Sequence, residues 1–361
     1  MKRQRLVPAI LLLACGQALA QDAAVQVYGR LHLGLEHVRI DGGAQDPVPS
    51  WRASNYRSVL GFRGSEHLGG GLRLLFQVEG ALALDTGSGA PASRDTRIGL
   101  EGPWGTLFGG NWTTPYNAST SGLDPFYTTT AGYMSIMGNG AAPSADNLGD
   151  TGSFDRRQRN SLHYWTPAWH GLSLRLAHGF NEERPASGAR PALDSAAVVL
   201  ERGPLYAALA HERHRAYQGP GLNDQGSKLA LAWQFGRTRL AGIAETLRYR
   251  TAAGPLQRTA YFLSLSHQAG PHGIRFGVAQ ARDGGGPAGA QVGAVRAGPD
   301  TGAVHATLGY DYALSKRTSL FAFHTRLRND ERAVYDFAIN GLAPQAGSRL
   351  AGTVLGIRHA F

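Results

Sequence analysis

Beyond residue 20 this chain has no apolar run long enough to cross a bilayer as a helix, which takes about 20 residues, yet it repeatedly alternates apolar and polar residues. In the stretch Ala24 to Ile40, Val25, Val27, Gly29, Leu31, Leu33 and Leu35 fall on one face, and Gln26, Tyr28, Arg30, His32 and Glu36 on the other. A period of two is a strand signal and is incompatible with a 3.6-residue helix. The alternation recurs at Leu72, Leu74, Phe76 and Val78, at Leu229, Leu231, Trp233 and Phe235, and at Val304, Ala306, Leu308, Tyr310 and Tyr312. A soluble sheet would show the same alternation, but its strands usually stop at about five or six residues. Crossing a hydrocarbon layer takes about 9 to 11 tilted residues. Without a spanning helix, only a closed β-barrel pairs every backbone N–H and C=O in lipid. The 49 Gly, 13 Tyr, 13 Phe and 6 Trp and a negative mean hydropathy agree, since only alternate residues of such a strand meet lipid.

The first 20 residues read differently. Lys2, Arg3 and Arg5 precede an apolar core from Val7 to Cys15 and a small-residue site at Ala18-Leu19-Ala20. This is the layout of a secretory signal, so residues 1–20 are expected to be removed and residues 21–361 to form one barrel domain. A rival reading takes Leu12 to Gly16 as a lipoprotein box acylated at Cys15. Cys15 is the only cysteine, so cleavage after Ala20 leaves no thiol for disulfides or catalysis. Removing three cations from the formal +10 leaves +7, with the cations scattered singly along strands. That argues against nucleic acid and for a water-filled lumen or anionic lipid headgroups.

Links between the alternating segments alternate in length. Seven are short, from His67–Gly71 to Leu314–Thr318. Eight are expected to be long, among them Asp41–Arg57, Trp112–Arg159 and Arg250–Leu256. Sixteen strand-like segments result, with the short-turn, long-loop asymmetry of outer-membrane barrels. The longest link carries Tyr116, Asp124, Phe126, Tyr127, Asp146 and Asp150, and in a wide barrel it can fold inward and narrow the lumen.

Parity nominates the lumen residues. Arg30, Arg63, Arg73 and Arg97, with Tyr28, Gln77 and Glu79, lie opposite the apolar face, because a cation facing lipid at mid-bilayer costs about 2–4 kcal/mol. Asp124, Asp146 and Asp150 are the acids expected to face them, with a mild preference for anions as the result. Wall-stiffening ion pairs are the competing role for these arginines.

Four stretches resemble the trimeric general porins of β-proteobacteria, of the Neisseria, Bordetella and Burkholderia types. They are Val27-Tyr28-Gly29 with Leu31, the hairpin Leu60 to Leu72 (with His67 where Asp is usual), Arg159 to Tyr164 with Thr166-Pro167, and Leu308 to Leu320 before the ending Gly356 to Phe361. The resemblance implies an all-β fold, a 16-stranded antiparallel transmembrane barrel with its third loop in the lumen as a constriction, and a homotrimer in the bacterial outer membrane. It also implies that Phe361 is the insertion signal read by the barrel-assembly machinery. A departure lies at Gly110-Asn111-Trp112, where that family commonly ends its fifth strand Gly-Arg-Gln.

The expected partners are therefore other copies of the chain, outer-membrane lipid and lipopolysaccharide, small hydrophilic solutes and anions, with no cofactor and no metal. The other classes weighed are a barrel enzyme acting as phospholipase or protease, and a non-conducting adhesin. No zinc motif, nucleophile elbow or phosphate-cradling loop stands in the chain to favour an enzyme.

Overall fold

A computed structural model describes residues 25–43 and 48–361. The expected signal segment and the alternative at Cys15 lie outside the described residues. Sixteen strands form the wall: β1 Val25–Gly42, β2 Ser58–Gly69, β3 Leu72–Ala83, β4 Thr96–Gly102, β5 Gly105–Thr113, β6 Arg157–Trp165, β7 Leu172–Gly179, β8 Ala192–Arg202, β9 Leu205–Arg215, β10 Asp224–Phe235, β11 Thr238–Thr251, β12 Gly254–Ala269, β13 His272–Ala281, β14 Ala303–Ala313, β15 Thr318–Asn329 and β16 Ser348–Ala360. Each pairs antiparallel with the next. The register Arg30↔Ala360 to Gly42↔Ser348 joins β16 to β1 and closes the barrel, so no strand edge is left bare.

The alternation sorts as expected. Val27, Leu35, Leu229, Leu231, Leu308 and Leu355 face outward and are exposed, while Glu36, Lys228, Glu245 and Thr307 on the other parity are buried inside. Among the described residues no helix is long and apolar enough to span a membrane.

Two of the expected long links are corrected. In place of a loop at Asp41–Arg57, the segment Val48–Asn55 returns beside β1 in the register Leu33↔Asn55 to Ile40↔Val48. It leads into β2 through Tyr56 and Arg57, where Arg57 takes a left-handed φ of 53°. The supposed loop Arg250–Leu256 is a two-residue turn, with Thr251 paired to Gly254. Gly254-Pro255 reads as a chain breaker in sequence, but a proline is tolerated at the start of a strand.

The chain between β5 and β6 enters the barrel. Its helix α1 (Pro115–Ser121) is capped by the Thr114 side chain, which accepts from the Asn117 N–H, with proline in the first turn. From there to Asn139 nearly every residue is buried. This loop packs against the inner face of β8 to β13, where the wall offers small residues: Ala197, Ala208, Ala210, Ala230, Ala232, Ala241 and Ala279 are all buried against it. Two wall glycines make room for aromatic rings of the loop. A Cβ on Gly309 would lie 2.6 Å from the Phe126 ring, and one on Gly226 would lie 2.7 Å from Phe154.

Candidate functional site: the lumen beside the inserted loop

One sector of the inner wall is filled by the loop. Its fastening is ionic and fully buried. Lys228 Nζ lies 2.8 Å from Asp155 and 3.5 Å from Glu245, and Arg258 lies 3.2 Å from Glu245. Glu245 also accepts from the Tyr116 hydroxyl at 2.9 Å and from the Gly138 N–H at 2.9 Å. Burial pushes the Asp155 carboxyl up to about 6, against the opposing pull of Lys228. Two later loops cover this one from the long-loop end: Asn139 donates to the Val292 carbonyl at 2.9 Å, and the Ala338 N–H donates to Ser135 at 3.1 Å.

The sector from β1 to β7 remains open, and its inner surface is cationic. Arg94 pairs with Glu79 at 2.8 Å, and Glu79 also accepts from the Tyr28 hydroxyl at 3.1 Å. Arg157 pairs with Asp95 at 2.6 Å and donates to the Pro143 carbonyl of the loop. Arg30 donates to the Arg57 carbonyl at 3.0 Å. The Arg57 guanidinium makes no hydrogen bond or ion pair among the described residues, and its strained backbone aims it at the loop near Tyr127. Arg97 is likewise without a polar partner. It is held instead by rings, 4.3 Å from the Trp112 centroid and 4.6 Å from that of Phe108. Five arginines on this surface thus meet two carboxylates. Three of them, Arg57, Arg94 and Arg157, line with Arg159 a cavity of about 490 Å³ together with Asn55, Ser93 and Ser144, and no carboxylate among the described residues lines it.

The residues expected from sequence fall in three places. Tyr28, Arg30, Gln77, Glu79 and Arg97 stand on the inner face in or beside this cationic surface, whereas Arg63, near Tyr28 at 4.9 Å, and Arg73, 3.3 Å from Glu101, lie toward the short-turn mouth. Tyr116 and Phe126 are fully buried anchors of the loop. Tyr127 is half-buried on the lumen side.

The acids do not face the arginines. Asp124 is buried, turning one oxygen to the Phe126 N–H and the other to the Tyr133 N–H, and burial pushes it up to about 7. Asp146 caps the Leu148 and Gly149 N–H groups, and the carbonyls of Asp146 and Asp150 accept from Arg156. A loop has no parity, so sequence gave these side chains no direction. Arg57, Arg94 and Arg157 were missed for the same reason: Arg57 sits at a kink, Arg94 in a link, and Arg157 at the first residue of its strand. The ending Asn111-Trp112 takes a local role, with Asn111 accepting from Ser144 of the loop and donating to the Arg94 carbonyl. Phe361 exchanges backbone hydrogen bonds with Gly29, both at 3.1 Å.

Comparison with known proteins gives a consistent picture. The family model described as Gram-negative porin matches residues 8–332. The outer membrane porin protein 32 of Delftia acidovorans is 27% identical over 99% of this chain and 100% of its own length. An outer membrane porin protein of Bordetella pertussis is 26% identical, covering 100% of both chains. Among solved structures, the anion-selective porin from Comamonas acidovorans superposes with a TM-score of 0.76 at 24% identity, over 94% of this chain and 100% of that one.

Proposed function

The chain belongs to the Gram-negative porin family and is a multi-pass outer-membrane channel for passive diffusion of small hydrophilic solutes, and we propose that its lumen favours anions. The observation that carries the preference is the open sector, where of Arg30, Arg57, Arg94, Arg97 and Arg157 only Arg94 and Arg157 form ion pairs among the described residues, with Glu79 and Asp95. Fixed charge lining a pore selects by sign. Arg57 and Arg97 form no ion pair among the described residues, so their charge is available to a passing solute. Tyr28, Gln77 and Glu79 line the path below, with Arg63 and Arg73 toward the periplasmic mouth. On the loop side Tyr127 borders the passage, and Tyr116, Phe126 and Asp124 hold its shape from behind.

The same reading includes a homotrimer, insertion by the barrel-assembly machinery through Phe361, contact with lipopolysaccharide, and no catalysis. Among the described residues serine meets histidine in a buried Ser161–His163 pair at 3.0 Å and an outward His211–Ser227 pair at 2.9 Å, and neither histidine is paired with a carboxylate that would complete a hydrolase triad. Liposome swelling with a solute panel tests the channel. Uptake of small neutral sugars, with faster uptake of small carboxylates than of amines of equal size, is the expected result. Equal rates for carboxylates and amines would refute the preference, and no swelling would refute open passage.

A further inference from the structure

The outward face of the wall changes character in rows. On β9 to β12 the register sets Leu209, Leu229, Ala244 and Tyr261 side by side, with Leu209, Leu229 and Tyr261 each about half exposed. Two residues nearer the long-loop end, the row is His211, Ser227, Thr246 and Thr259. The next is Arg213, Gln225, Arg248 and Gln257, all exposed. Apolar, hydroxyl and then cationic rows mark the ascent from hydrocarbon to headgroups. An arginine facing lipid is costly at mid-bilayer and nearly free at the interface.

Two features make this more than a basic rim. First, Arg213, Arg248 and Arg250 have no ion pair among the described residues. Arg248 donates only to the Gln257 amide at 3.2 Å. A cavity of about 320 Å³ is lined by Arg248, Arg250, Asn223, Gln225 and Gln257 without a carboxylate among the described residues, and Arg213 lies beside it, opposite Asp194, whose carboxylate is taken by His178 and Arg215. The nearby Asp224 is buried behind the wall, held by the Arg250 N–H and Gln218.

Second, the strand beneath Arg248 presents small residues outward. Gly242, Ala244 and Thr246 form a floor between Leu229 and Leu231 on one side and Tyr261 and Leu263 on the other. The flanking strands stand about 10 Å apart, and the floor from Gly242 to Thr246 runs about 13 Å, closed at its lower end by the outward Leu240. Its upper end opens at the arginines.

We propose that this face binds one phosphorylated lipid of the outer leaflet, with its phosphate on Arg213, Arg248 and Arg250 and an acyl chain along the groove floored by Gly242 and Ala244. Guanidinium groups match phosphate oxygens in paired, charge-assisted hydrogen bonds, and three amides satisfy the remaining polar edge. The site rests on the outward face of these strands being lipid-facing.

The test uses the full mature protein in detergent, read by native mass spectrometry against lipid A, dephosphorylated lipid A and inorganic phosphate, with unitary conductance recorded in parallel. Lipid A should bind at least about tenfold better than its dephosphorylated form, and the double variant R213Q/R248Q should lose that margin. Ala244→Leu, which fills the groove, should weaken lipid A as well. Conductance should stay unchanged in both variants, since neither touches the lumen. Equal binding of the two lipids, or unaltered binding in both variants, overturns the proposal. So does inorganic phosphate displacing lipid A at equal concentration, or a change in subunit number in R213Q/R248Q, which would mean another copy covers the face. A silent wild-type channel would instead strike the transport reading and leave lipid binding to its own result.

Discussion

Strands β8 to β13 and strands β1 to β7 enclose the same lumen with opposite inner surfaces. The first sector is floored with alanine and glycine, so the inserted loop can lie flat on it, and its buried charges, Lys228, Asp155, Glu245 and Arg258, balance one another. The second carries long side chains, Arg30, Arg94, Arg97 and Arg157 among them, that line the wall with charge, and Arg157 braces the edge of the loop through the Pro143 carbonyl. The difference teaches that small inward residues mark where a porin wall is filled, and unbalanced arginines mark where it conducts. Changes in the first sector should therefore move stability, and changes in the second should move selectivity.

The largest expected effect is on the packed side. Lys228→Met leaves Asp155 and Glu245 buried with one cation fewer, and breaking such a cluster costs about 3–5 kcal/mol. Urea titration of the folded barrel should show that loss, and channels that still form should open to scattered conductance levels as the loop detaches. An unchanged midpoint would break the comparison.

On the open side the triple change Arg57→Ala, Arg94→Gln and Arg157→Gln should remove most of the anion preference while costing less stability than Lys228→Met, because Arg57 and Arg94 are part-exposed and Asp95, which the buried Arg157 would leave, keeps the Thr113 N–H and hydroxyl. Arg57→Ala alone should take the largest single share of the preference, since among the described residues Arg57 forms no ion pair, whereas Arg94 and Arg157 each hold a carboxylate. Zero-current potentials of the triple variant and of the three single changes give the order directly.

Acidity offers a finer probe. Asp124 at about 7 and Asp155 at about 6 both sit above the ordinary carboxyl value of about 3.9, so both take up protons as pH falls from 8 to 5. Anion preference should rise over that window, by less than Arg57→Ala lowers it. The sign for stability follows the raised values. The folded state binds these protons more tightly than the unfolded one, so the two groups favour folding increasingly as pH falls through that range, and the loop should stay in place. A fall in anion preference on acidification would contradict this. The smallest effect belongs to Glu101→Gln. Its pairing with Arg73 is more than a third exposed on both sides, so stability should change by less than about 1 kcal/mol.

The wall was legible in the sequence because period two leaves a residue such as Leu229 or Lys228 only one face to occupy. The channel's narrow part was less so. Arg30 and Arg97 could be assigned by parity, but Arg57 depends on a kink after Val48–Asn55, and Asp124 on turn hydrogen bonds that a sequence does not spell out. The alanines of β8 to β13 and the glycines Gly226 and Gly309, on β10 and β14, were visible as small residues. Only the approach of Phe126 to Gly309 and of Phe154 to Gly226 reveals what they make room for.

The central claim is that the arginine sector is an open, charged path. It is tested most directly by the reversal potential of the wild-type channel across a planar bilayer under a KCl gradient. The account predicts a potential of the sign set by chloride, collapsing toward zero in the Arg57, Arg94 and Arg157 triple variant. A potential set by potassium, or a chloride potential that survives the triple change, would contradict it.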